Sequence, residues 1–288
     1  MTKFGTRGSA NGQVDRPLFV TTDKQGNIYV SDHGNDRIQK FDLNGQWKMS
    51  VGLEGSGNGQ FNRPMGIAFN SKNHMFVADC WNHRIVELDQ NIKFVKEFGS
   101  NGSQNGQFNR PAGIAIDAED NIIVAGYWNH RIQKFNKDGK WMLTIGKQGS
   151  NNGEFLYPCG VAVCKTSGKV FVSDINHRVQ VFGPDGTFLF KFGSYGSKNG
   201  QFKYPTGLAL SHCGQFLFVC DRDNNRIQLF DANNGQFIKS FGSYGSDNGQ
   251  FKNPMGICIA PSGQIIVSES EYFGDGKWGE QQRLQIFE

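Results

Sequence analysis

Short apolar runs separated by turn residues follow one another along the whole chain. One representative stretch reads "AGIAID" at residues 112–117, "NIIVAG" at 121–126, "RIQKF" at 131–135 and "WMLTIG" at 141–146. Runs of this length that are rich in Val, Ile and Phe, with Gly, Asn, Asp or Lys between them, predict strands joined by tight turns. No segment keeps a 3.6-residue apolar spacing over a helical length, so we expect almost no helix.

The same pattern returns about every 47 residues. A proline in an equivalent context recurs six times with spacings of 47, 47, 47, 47 and 49, at Pro17, Pro64, Pro111, Pro158, Pro205 and Pro254. A fixed period in this range is the signature of a propeller or a solenoid. Four strands in each of six repeats predict an all-β fold, a six-bladed β-propeller with four antiparallel strands per blade. We expect residues 1–288 to form this one domain.

The two ends of the chain predict how the ring closes. The sequence ends with "RLQIFE", which corresponds to the third strand of the sixth repeat, and no fourth strand follows it. Residues 2–5, "TKFG", correspond to the end of a fourth strand that has no repeat before it. We therefore expect the N-terminal strand to complete the last blade, which leaves no open sheet in the ring.

Three motifs recur in step with the prolines and carry a resemblance to a known family. They are "RPAGIAID" (110–117), "NHRIQKF" (129–135) and the glycine-rich "FGSNGSQNGQF" (98–108). Together they resemble the NHL repeat, and the glycine-rich connector is similar to that of the C-terminal propeller of the tripartite-motif NHL proteins (TRIM-NHL, the Brat-like group). The resemblance implies a six-bladed ring and, in several members, a face that binds single-stranded or hairpin RNA.

The turn between the second and third strands contains residues that look catalytic. In the second repeat they are Asp79, Asn82, His83 and Arg84. Asp and Asn stabilise tight turns, and an arginine fork can bridge carboxylates and carbonyls, so a group present in nearly every repeat is expected to hold its blade. His83, His130 and His177 share one repeat position on successive blades, which argues against a common zinc site.

Other sequence features indicate a binding protein. The innermost strands place no Asp, Glu or His at the entrance of the central channel, and we find no nucleophile with a base, so we expect no enzyme activity, no metal and no cofactor. The six cysteines fall at different points of the repeat, which predicts free thiols and a cytoplasmic location. No run approaches the ~18 apolar residues of a membrane span. We expect a monomer.

Function is expected where the repeats differ on the exposed face. In a propeller the connectors between blades and the turns between second and third strands share one face, here called the connector face. The residue before each proline changes from Arg16, Arg63 and Arg110 to Tyr157, Tyr204 and Asn253. Trp81 and Trp128 share one position in the adjacent turns, where packing against the neighbouring blade is the alternative to a binding role.

Charge is concentrated on the same face. The connectors carry eight basic residues against four acidic ones, a difference of +4 that equals the formal net charge of the whole chain. Cations interleaved with aromatic rings suit a single nucleic-acid strand, which needs phosphate contacts and stacking surfaces. We therefore predict binding of single-stranded or hairpin RNA through Arg16, Arg63, Trp81, Arg110, Trp128, Tyr157, Lys203, Tyr204 and Trp278.

The sixth repeat supports a different hypothesis. Its second turn is replaced by "SEYFGDGKWGEQQ" (270–282), which places Tyr272, Phe273 and Trp278 on the connector face. This insert and its flank are acidic, with Glu269, Glu271, Asp275 and Glu280. An acidic, aromatic surface favours protein contacts over RNA. The alternative function is therefore a protein-interaction module that recognises substrates, as in ubiquitin-ligase-type members of the family.

Overall fold

The structure is a computed structural model that describes residues 1–274 and 277–288, with every side chain of these residues except that of Phe273. Within this part of the chain, 24 strands form six four-stranded antiparallel sheets. Blade 1 contains β2 (Pro17–Thr22), β3 (Ile28–Asp32), β4 (Arg37–Phe41) and β5 (Trp47–Val51); blade 2 contains β6 (Pro64–Phe69), β7 (Met75–Asp79), β8 (Arg84–Leu88) and β9 (Phe94–Phe98); blade 3 contains β10 (Pro111–Ile116), β11 (Ile122–Gly126), β12 (Arg131–Phe135) and β13 (Trp141–Ile145).

The other three blades repeat this order. Blade 4 contains β14 (Val161–Val163), β15 (Val170–Asp174), β16 (Arg178–Phe182) and β17 (Phe188–Phe192); blade 5 contains β18 (Pro205–Leu210), β19 (Phe216–Asp221), β20 (Arg226–Asp231) and β21 (Phe237–Phe241); blade 6 contains β22 (Pro254–Ile259), β23 (Ile265–Gly274), β24 (Lys277–Phe287) and β1 (Thr2–Phe4). The predicted six-bladed propeller is confirmed. The sequence predicted almost no helix. Within the described residues, helix is confined to three single 3-10 turns, at His33–Asn35, Cys80–Asn82 and Arg222–Asn224.

The core lies between the blades. The middle strands β7 and β8 are buried at every position, whereas the outer strand β9 alternates between half-buried and exposed residues. Phe76 and Ile85 of blade 2 pack with Ile122 and Phe135 of blade 3 in one apolar cluster. Because each sheet packs on both faces, every position of these middle strands is buried, including the polar residues Asp79, Arg84 and Glu87.

The ring closes through the N-terminus, as the sequence predicts. Strand β1 pairs antiparallel with β24, with Thr2 opposite Ile286 and Phe4 opposite Leu284. The Phe4 ring packs on Phe41 of blade 1 with 4.9 Å between ring centroids. The N-terminal strand thus joins the last blade to the first.

The glycine-rich connectors have a structural reason for their composition. Gly99 has a φ of +95°, and a Cβ atom at this position would lie 2.5 Å from the Phe108 ring. Phe108 is fully buried and packs on Phe135 with 5.4 Å between ring centroids. Five of the six connectors anchor a phenylalanine in this way, and the first has Val14 at the same position; in the five, only glycine leaves room for the ring.

Candidate functional site

The turn between the second and third strands fixes the connector that leads into its blade. In blade 2 the buried Asp79 carboxylate accepts hydrogen bonds from the Asn62 backbone N–H at 2.7 Å and from the Asn82 amide at 2.8 Å. The Arg84 Nε lies 2.8 Å from the same carboxylate. Its remaining guanidinium nitrogens donate to connector carbonyls at Ser56, Gly57 and Gln60. The Asp–Asn–Arg group is a structural clamp, as expected.

Burial shapes the chemistry of this clamp. It raises the pKa of Asp79, and the hydrogen bonds of Asn62, Asn82 and Arg84 oppose that shift. Burial also raises the pKa of the equivalent carboxylates Asp32, Asp174 and Asp221. A buried pair of this kind contributes little net stability over an apolar pair, but removing one partner leaves an uncompensated charge.

The histidine of the same turn fixes the next connector. His83 Nδ1 accepts a hydrogen bond from the Arg110 backbone N–H at 3.1 Å, across the boundary between blades 2 and 3. His130 and His177 do the same for Tyr157 and Tyr204. Burial lowers the pKa of all three imidazoles, and the Arg110 charge adds to the shift at His83. Each histidine is thus a neutral hydrogen-bond acceptor that joins two blades.

The residues before the prolines owe their backbone shape to these contacts. Arg110, Tyr157 and Tyr204 have φ values of 53°, 46° and 53°, and the three equivalent residues of the other connectors are also positive. Positive φ is uncommon for bulky residues and often marks a functional site. Because all six connectors share it, here it belongs to the fold, and it turns each of these side chains onto the connector face.

Arg110 lies between two tryptophans on that face. Its guanidinium carbon is 4.6 Å from the centroid of the Trp81 ring and 5.0 Å from that of Trp128. The two indoles remain 50% and 45% exposed. No acceptor among the described residues takes a hydrogen bond from the guanidinium. The guanidinium thus contacts two indole rings, and its N–H groups remain available to an external acceptor.

The aromatic surface continues around the ring from blade 3 to blade 5. Tyr157 contacts Trp128 with 5.6 Å between ring centroids, and Tyr127 with 5.1 Å. In the next blade the Arg222 guanidinium lies 4.8 Å from the Tyr204 ring. We call Trp81, Arg110, Trp128, Tyr157 and Tyr204 the aromatic arc.

A cavity opens beside the arc at the mouth of the central channel. It has a volume of about 350 Å³, and Tyr127, Tyr157, Tyr204, Cys159 and Arg222 contribute to its wall. Burial raises the pKa of Tyr127 to about 12. Burial lowers the pKa of Arg222, but the hydrogen bonds and charge of Asp223 outweigh it and raise the pKa. The cavity is therefore aromatic with one fixed positive charge.

Two exposed tyrosines beside the arc were missed by the sequence analysis. Tyr195 and Tyr244 are 65% and 66% exposed, and Tyr195 contacts His177 with 4.9 Å between ring centroids. The predicted residue Lys203 lies with its ammonium 5.8 Å from the Tyr195 ring. Both tyrosines occupy the connector position that holds Arg7 in the first copy. Comparing that position across repeats would have found them.

Besides Lys203, three predicted residues lie outside the arc: Arg16, Arg63 and Trp278. The Arg63 guanidinium donates to the His33 and Gly34 carbonyls at 3.4 and 3.3 Å, on the preceding blade. Arg16 forms an ion pair with Asp15 at 3.1 Å and lies 5.7 Å from the Trp278 ring. Arg16 and Arg63 thus have polar partners within the protein, whereas the Arg110 guanidinium has none among the described residues.

The insert of blade 6 forms an extension of β23 and β24. Tyr272 and Trp278 pair across it with 4.9 Å between ring centroids. Its Glu280 pairs with Arg7 at 2.6 Å, and Glu271 pairs with Lys252 at 2.8 Å. Asp275 and the Phe273 side chain, also named in the sequence analysis, lie outside the described part of the structure.

Ion pairs reduce the number of basic side chains on the connector face that are free to bind a ligand. Of the eight basic connector residues, four pair with carboxylates in the described residues: Arg7, Arg16, Lys147 and Lys252. The other four, which form no ion pair within residues 1–274 and 277–288, are Arg63, Arg110, Lys198 and Lys203. The unpaired positive charge lies beside the aromatic arc, in the connectors before blades 2, 3 and 5.

Within the described residues, no group of three or more His, Cys, Asp or Glu side chains is arranged to hold a metal ion. All six cysteines are free thiols. None of the helical turns in this part of the chain has the length and apolar character needed to cross a bilayer.

Comparison with known proteins identifies the repeat. The NHL repeat profile matches residues 15–41, 61–88, 108–135 and 202–230. Protein wech of Drosophila melanogaster is 44% identical over 45 residues, which is 16% of this chain and 5% of that protein. Protein lin-41 of Caenorhabditis elegans is 39% identical over 44 residues, which is 15% of this chain and 4% of that protein. The chain thus matches only a small part of either relative.

Solved structures share the architecture at low sequence identity. A streptogramin B lyase has a TM-score of 0.65 at 13% identity, over 99% of this chain and 97% of that one. A protein of unknown function from Bacteroides thetaiotaomicron has a TM-score of 0.75 at 16% identity, over 99% and 76% of the two chains. At such identities the similarity shows the fold alone. The chain is a six-bladed β-propeller that carries NHL repeats.

Proposed function

We propose that the protein is a non-catalytic binding propeller whose aromatic arc binds single-stranded RNA. The observation that carries the proposal is the Arg110 guanidinium held between Trp81 and Trp128, with its N–H edge free of acceptors in the described residues. The half-exposed indoles offer faces on which bases stack, and the guanidinium edge offers paired donors to a phosphate or a base edge.

The geometry sharpens the role of Arg110. An arginine can stack on a base or donate hydrogen bonds, and here the guanidinium already contacts two indole rings. We therefore assign Arg110 the role of a hydrogen-bond donor through its free N–H groups. Tyr157, Tyr204 and Lys203 would then continue the path of the strand toward blade 5, where Tyr195 is exposed.

Fluorescence anisotropy with a pool of labelled RNA oligomers tests this function. Affinity should fall as salt rises, with a slope that counts phosphate contacts. Trp128→Ala should cost about 1–3 kcal/mol, the range for one stacked base. Trp141→Ala is the matched control, because Trp141 is 42% exposed on the outer strand β13 and has no place in the arc.

Arg110→Ala and Arg110→Lys separate the two edge roles. If the edge meets a phosphate, Arg110→Ala weakens binding to all sequences and lowers the salt slope by about 1, while Arg110→Lys keeps the slope. If the edge reads a base, both variants relax sequence preference. Absence of binding by the wild-type protein to any pool at low salt would reject the RNA function.

A protein-interaction module is the second candidate, and the blade 6 extension favours it. There Glu280 pairs with Arg7 and Glu271 with Lys252, close to the packed rings of Trp278 and Tyr272. The local similarity to wech and lin-41, of the tripartite-motif NHL group, also supports such a module. Partners that are retained by the wild-type protein and lost with Trp278→Ala, but kept with Trp128→Ala, would support this function over RNA binding.

The non-catalytic part of the proposal rests on the channel. Its wall in the described residues is formed mainly by aliphatic positions such as Val20, Ile67, Ile114, Val161 and Leu208. The lyase with a similar fold shares only 13% of its sequence with this chain. A melting temperature lowered by a chelator, or stoichiometric zinc or calcium in purified protein, would contradict the non-catalytic proposal.

A further inference from the structure

Two of the six thiols lie on the face opposite the connector face. Cys164 directly follows β14 of blade 4, and Cys213 lies in the turn between β18 and β19 of blade 5. Both border the same cavity of about 240 Å³, together with Thr166 and Gly214. The two cysteines therefore line one cavity at the boundary between blades 4 and 5.

Cys164 occupies a repeat position that holds a carboxylate in blades 1 and 3. Asp23 Oδ1 accepts hydrogen bonds from the Gln25 and Asn27 backbone N–H groups at 3.0 and 2.8 Å. Asp117 Oδ1 receives the equivalent pair. The turn thus directs N–H groups at an anion, and in blade 4 the group at this position is a sulfur.

The Cys164 sulfur has hydrogen-bonding neighbours in the structure. Cys164 Sγ lies 3.2 Å from the Thr166 hydroxyl. Burial raises the pKa of Cys164, but hydrogen bonds from the side chains and backbone of Ser167 and Thr166 outweigh it and lower the pKa to about 7. A thiolate is the reactive form of cysteine toward peroxides and disulfides.

Cys213 is placed to react with that sulfur. It is exposed, and its Sγ lies 3.2 Å from the Ser211 hydroxyl. The Ser211 hydrogen bond lowers the pKa of Cys213, and the neighbouring charge of Cys164 opposes the shift. A Cβ atom at Gly214 would lie 2.7 Å from Cys164 Sγ, so the backbone next to Cys213 already touches the Cys164 sulfur.

The other four cysteines have pKa shifts in the opposite direction. Burial raises the pKa of Cys80 to about 12 and that of Cys159 to about 11. It also raises the pKa of Cys220 and Cys258. Cys164 is itself buried, so the hydrogen bonds at its sulfur, and not its exposure, distinguish it from these four. Thiols with a raised pKa carry little thiolate at pH 7, and the four serve as internal controls within the same molecule.

We propose that Cys164 and Cys213 form a peroxide-sensitive dithiol that closes to a disulfide between blades 4 and 5. The Cys164 thiolate attacks one oxygen of a hydroperoxide; the other oxygen leaves with a proton as the alcohol or water, and Cys164 becomes a sulfenic acid. The Cys213 sulfur then attacks the Cys164 sulfur, and water leaves. The peroxide takes up two electrons, and the exposed turn at 211–215 supplies the movement that brings the sulfurs together.

This site is separate from the proposed RNA surface, so either proposal can fail without the other. The test uses the wild-type chain. The native protein is alkylated at pH 7, and reactivity is mapped by mass spectrometry; we expect Cys164 and Cys213 to be modified at least about tenfold faster than the other four. Fragment spectra are required, because Cys159 and Cys164 share one tryptic peptide, as do Cys213 and Cys220.

Hydrogen peroxide treatment before alkylation gives the decisive result. We expect protection of Cys164 and Cys213, a cross-linked peptide that contains both, and full reversal by a reductant. With Cys213→Ser the reaction should stop at a Cys164 sulfenic acid, which dimedone traps. The proposal is overturned if both thiols remain alkylatable after oxidation, or if Cys164 is linked to any other cysteine.

Discussion

Blades 2 and 3 perform the same structural task with different turns. In blade 2 the Asp79 carboxylate receives the connector N–H and the arginine of the clamp. In blade 3 the equivalent residue is Gly126, and Asn129 Oδ1 takes the N–H of Asn109 at 2.5 Å instead. Arg131 still donates to its connector carbonyls, but its buried Nε has no partner.

The difference changes the shape of the turn next to Arg110. Blade 2 forms a 3-10 turn at Cys80–Asn82, in which the Trp81 N–H donates to the Asn62 carbonyl of the connector. The blade 3 turn has the equivalent bond from Trp128 to Asn109 and a second one, from the Tyr127 N–H to the Arg110 carbonyl. The clamp can thus lose its carboxylate where glycine takes that position and the asparagine of the turn accepts the connector N–H.

The largest effect is expected when the blade 2 clamp loses its carboxylate. Asp79→Ala leaves the buried Arg84 Nε and the Asn62 N–H without their acceptor, and Arg84 keeps only the more exposed Glu97 as a carboxylate partner. We expect the free energy of unfolding to fall by about 3–5 kcal/mol, the usual range for breaking a buried ion pair. Urea denaturation measures it; a loss below about 1 kcal/mol, within the range of ordinary substitutions, would contradict the clamp.

Asp79→Gly should lose less than Asp79→Ala, although glycine itself costs about 0.5–1 kcal/mol relative to alanine in a strand. In blade 3 a Cβ at Gly126 would lie only 3.2 Å from Asn129 Oδ1. With glycine at 79, Asn82 can take the orientation that Asn129 has. An equal or larger loss for Asp79→Gly would show that blade 3 depends on more than this pair of residues.

Much of this fold could be predicted from the sequence, because its determinants repeat. The spacing of the prolines, the alternation of runs and turns, and the unpaired "KFG" at residues 3–5 each predicted a feature that the structure confirms. The sequence predicted that the Asp, Asn and Arg of the turn hold the blade together. It did not predict the hydrogen-bond partners, because the acceptor of the connector N–H changes from Asp36 to His83 to Asn225 between blades. Only the three-dimensional structure shows that these three residues make the same contact.

The candidate site was harder to predict because it depends on contacts between blades. The sequence shows eight basic connector residues. It could not show that Glu280, which is distant in sequence, pairs with Arg7 where the first connector meets blade 6. Nor could it show that one guanidinium, that of Arg110, contacts the rings of both Trp81 and Trp128. The sequence shows which residue type occupies each repeat position, but it does not show which side chains contact each other across blades.

A smaller effect should follow from the histidines that blades 2 and 3 share. Burial lowers the pKa of His83, His130 and His177, so the folded state binds fewer protons than the unfolded chain. Their contribution is fully present above the unfolded pKa of about 6.5 and is lost as pH falls through the folded values. Protonation replaces an acceptor with a donor, at a cost of about 1 kcal/mol for each turn.

Urea denaturation at pH 7.5 and 5.5 checks this expectation. A variant with all three histidines changed to Asn, the residue that blade 5 uses as Asn225, keeps the acceptor and should lose less stability on acidification. His33 adds the same acid sensitivity to both proteins, since burial lowers its pKa to about 3. Identical losses in wild type and variant would mean that these imidazoles do not titrate with unfolding.

The smallest effect is expected from restoring the carboxylate to blade 3. Gly126→Asp would give the unpartnered Arg131 Nε an acceptor, as Asp79 does for Arg84 at 2.8 Å. Burial lowers the pKa of Arg131 at present, which indicates that its charge is under-solvated. A hydrogen bond to a charged group contributes about 1.5–3 kcal/mol, and the desolvation of the carboxylate and the displacement of Asn129 offset part of it.

We therefore expect Gly126→Asp to raise the free energy of unfolding by about 1 kcal/mol, measured by urea denaturation. Gly126→Asn is the control, because it adds a side chain of the same shape without the charge. The order Asp above Asn would show that blade 3 gives up stability for a turn bonded to the Arg110 carbonyl. If Asn equals or exceeds Asp, the missing carboxylate costs blade 3 nothing, and the Asn129 arrangement is an equivalent way to hold the connector.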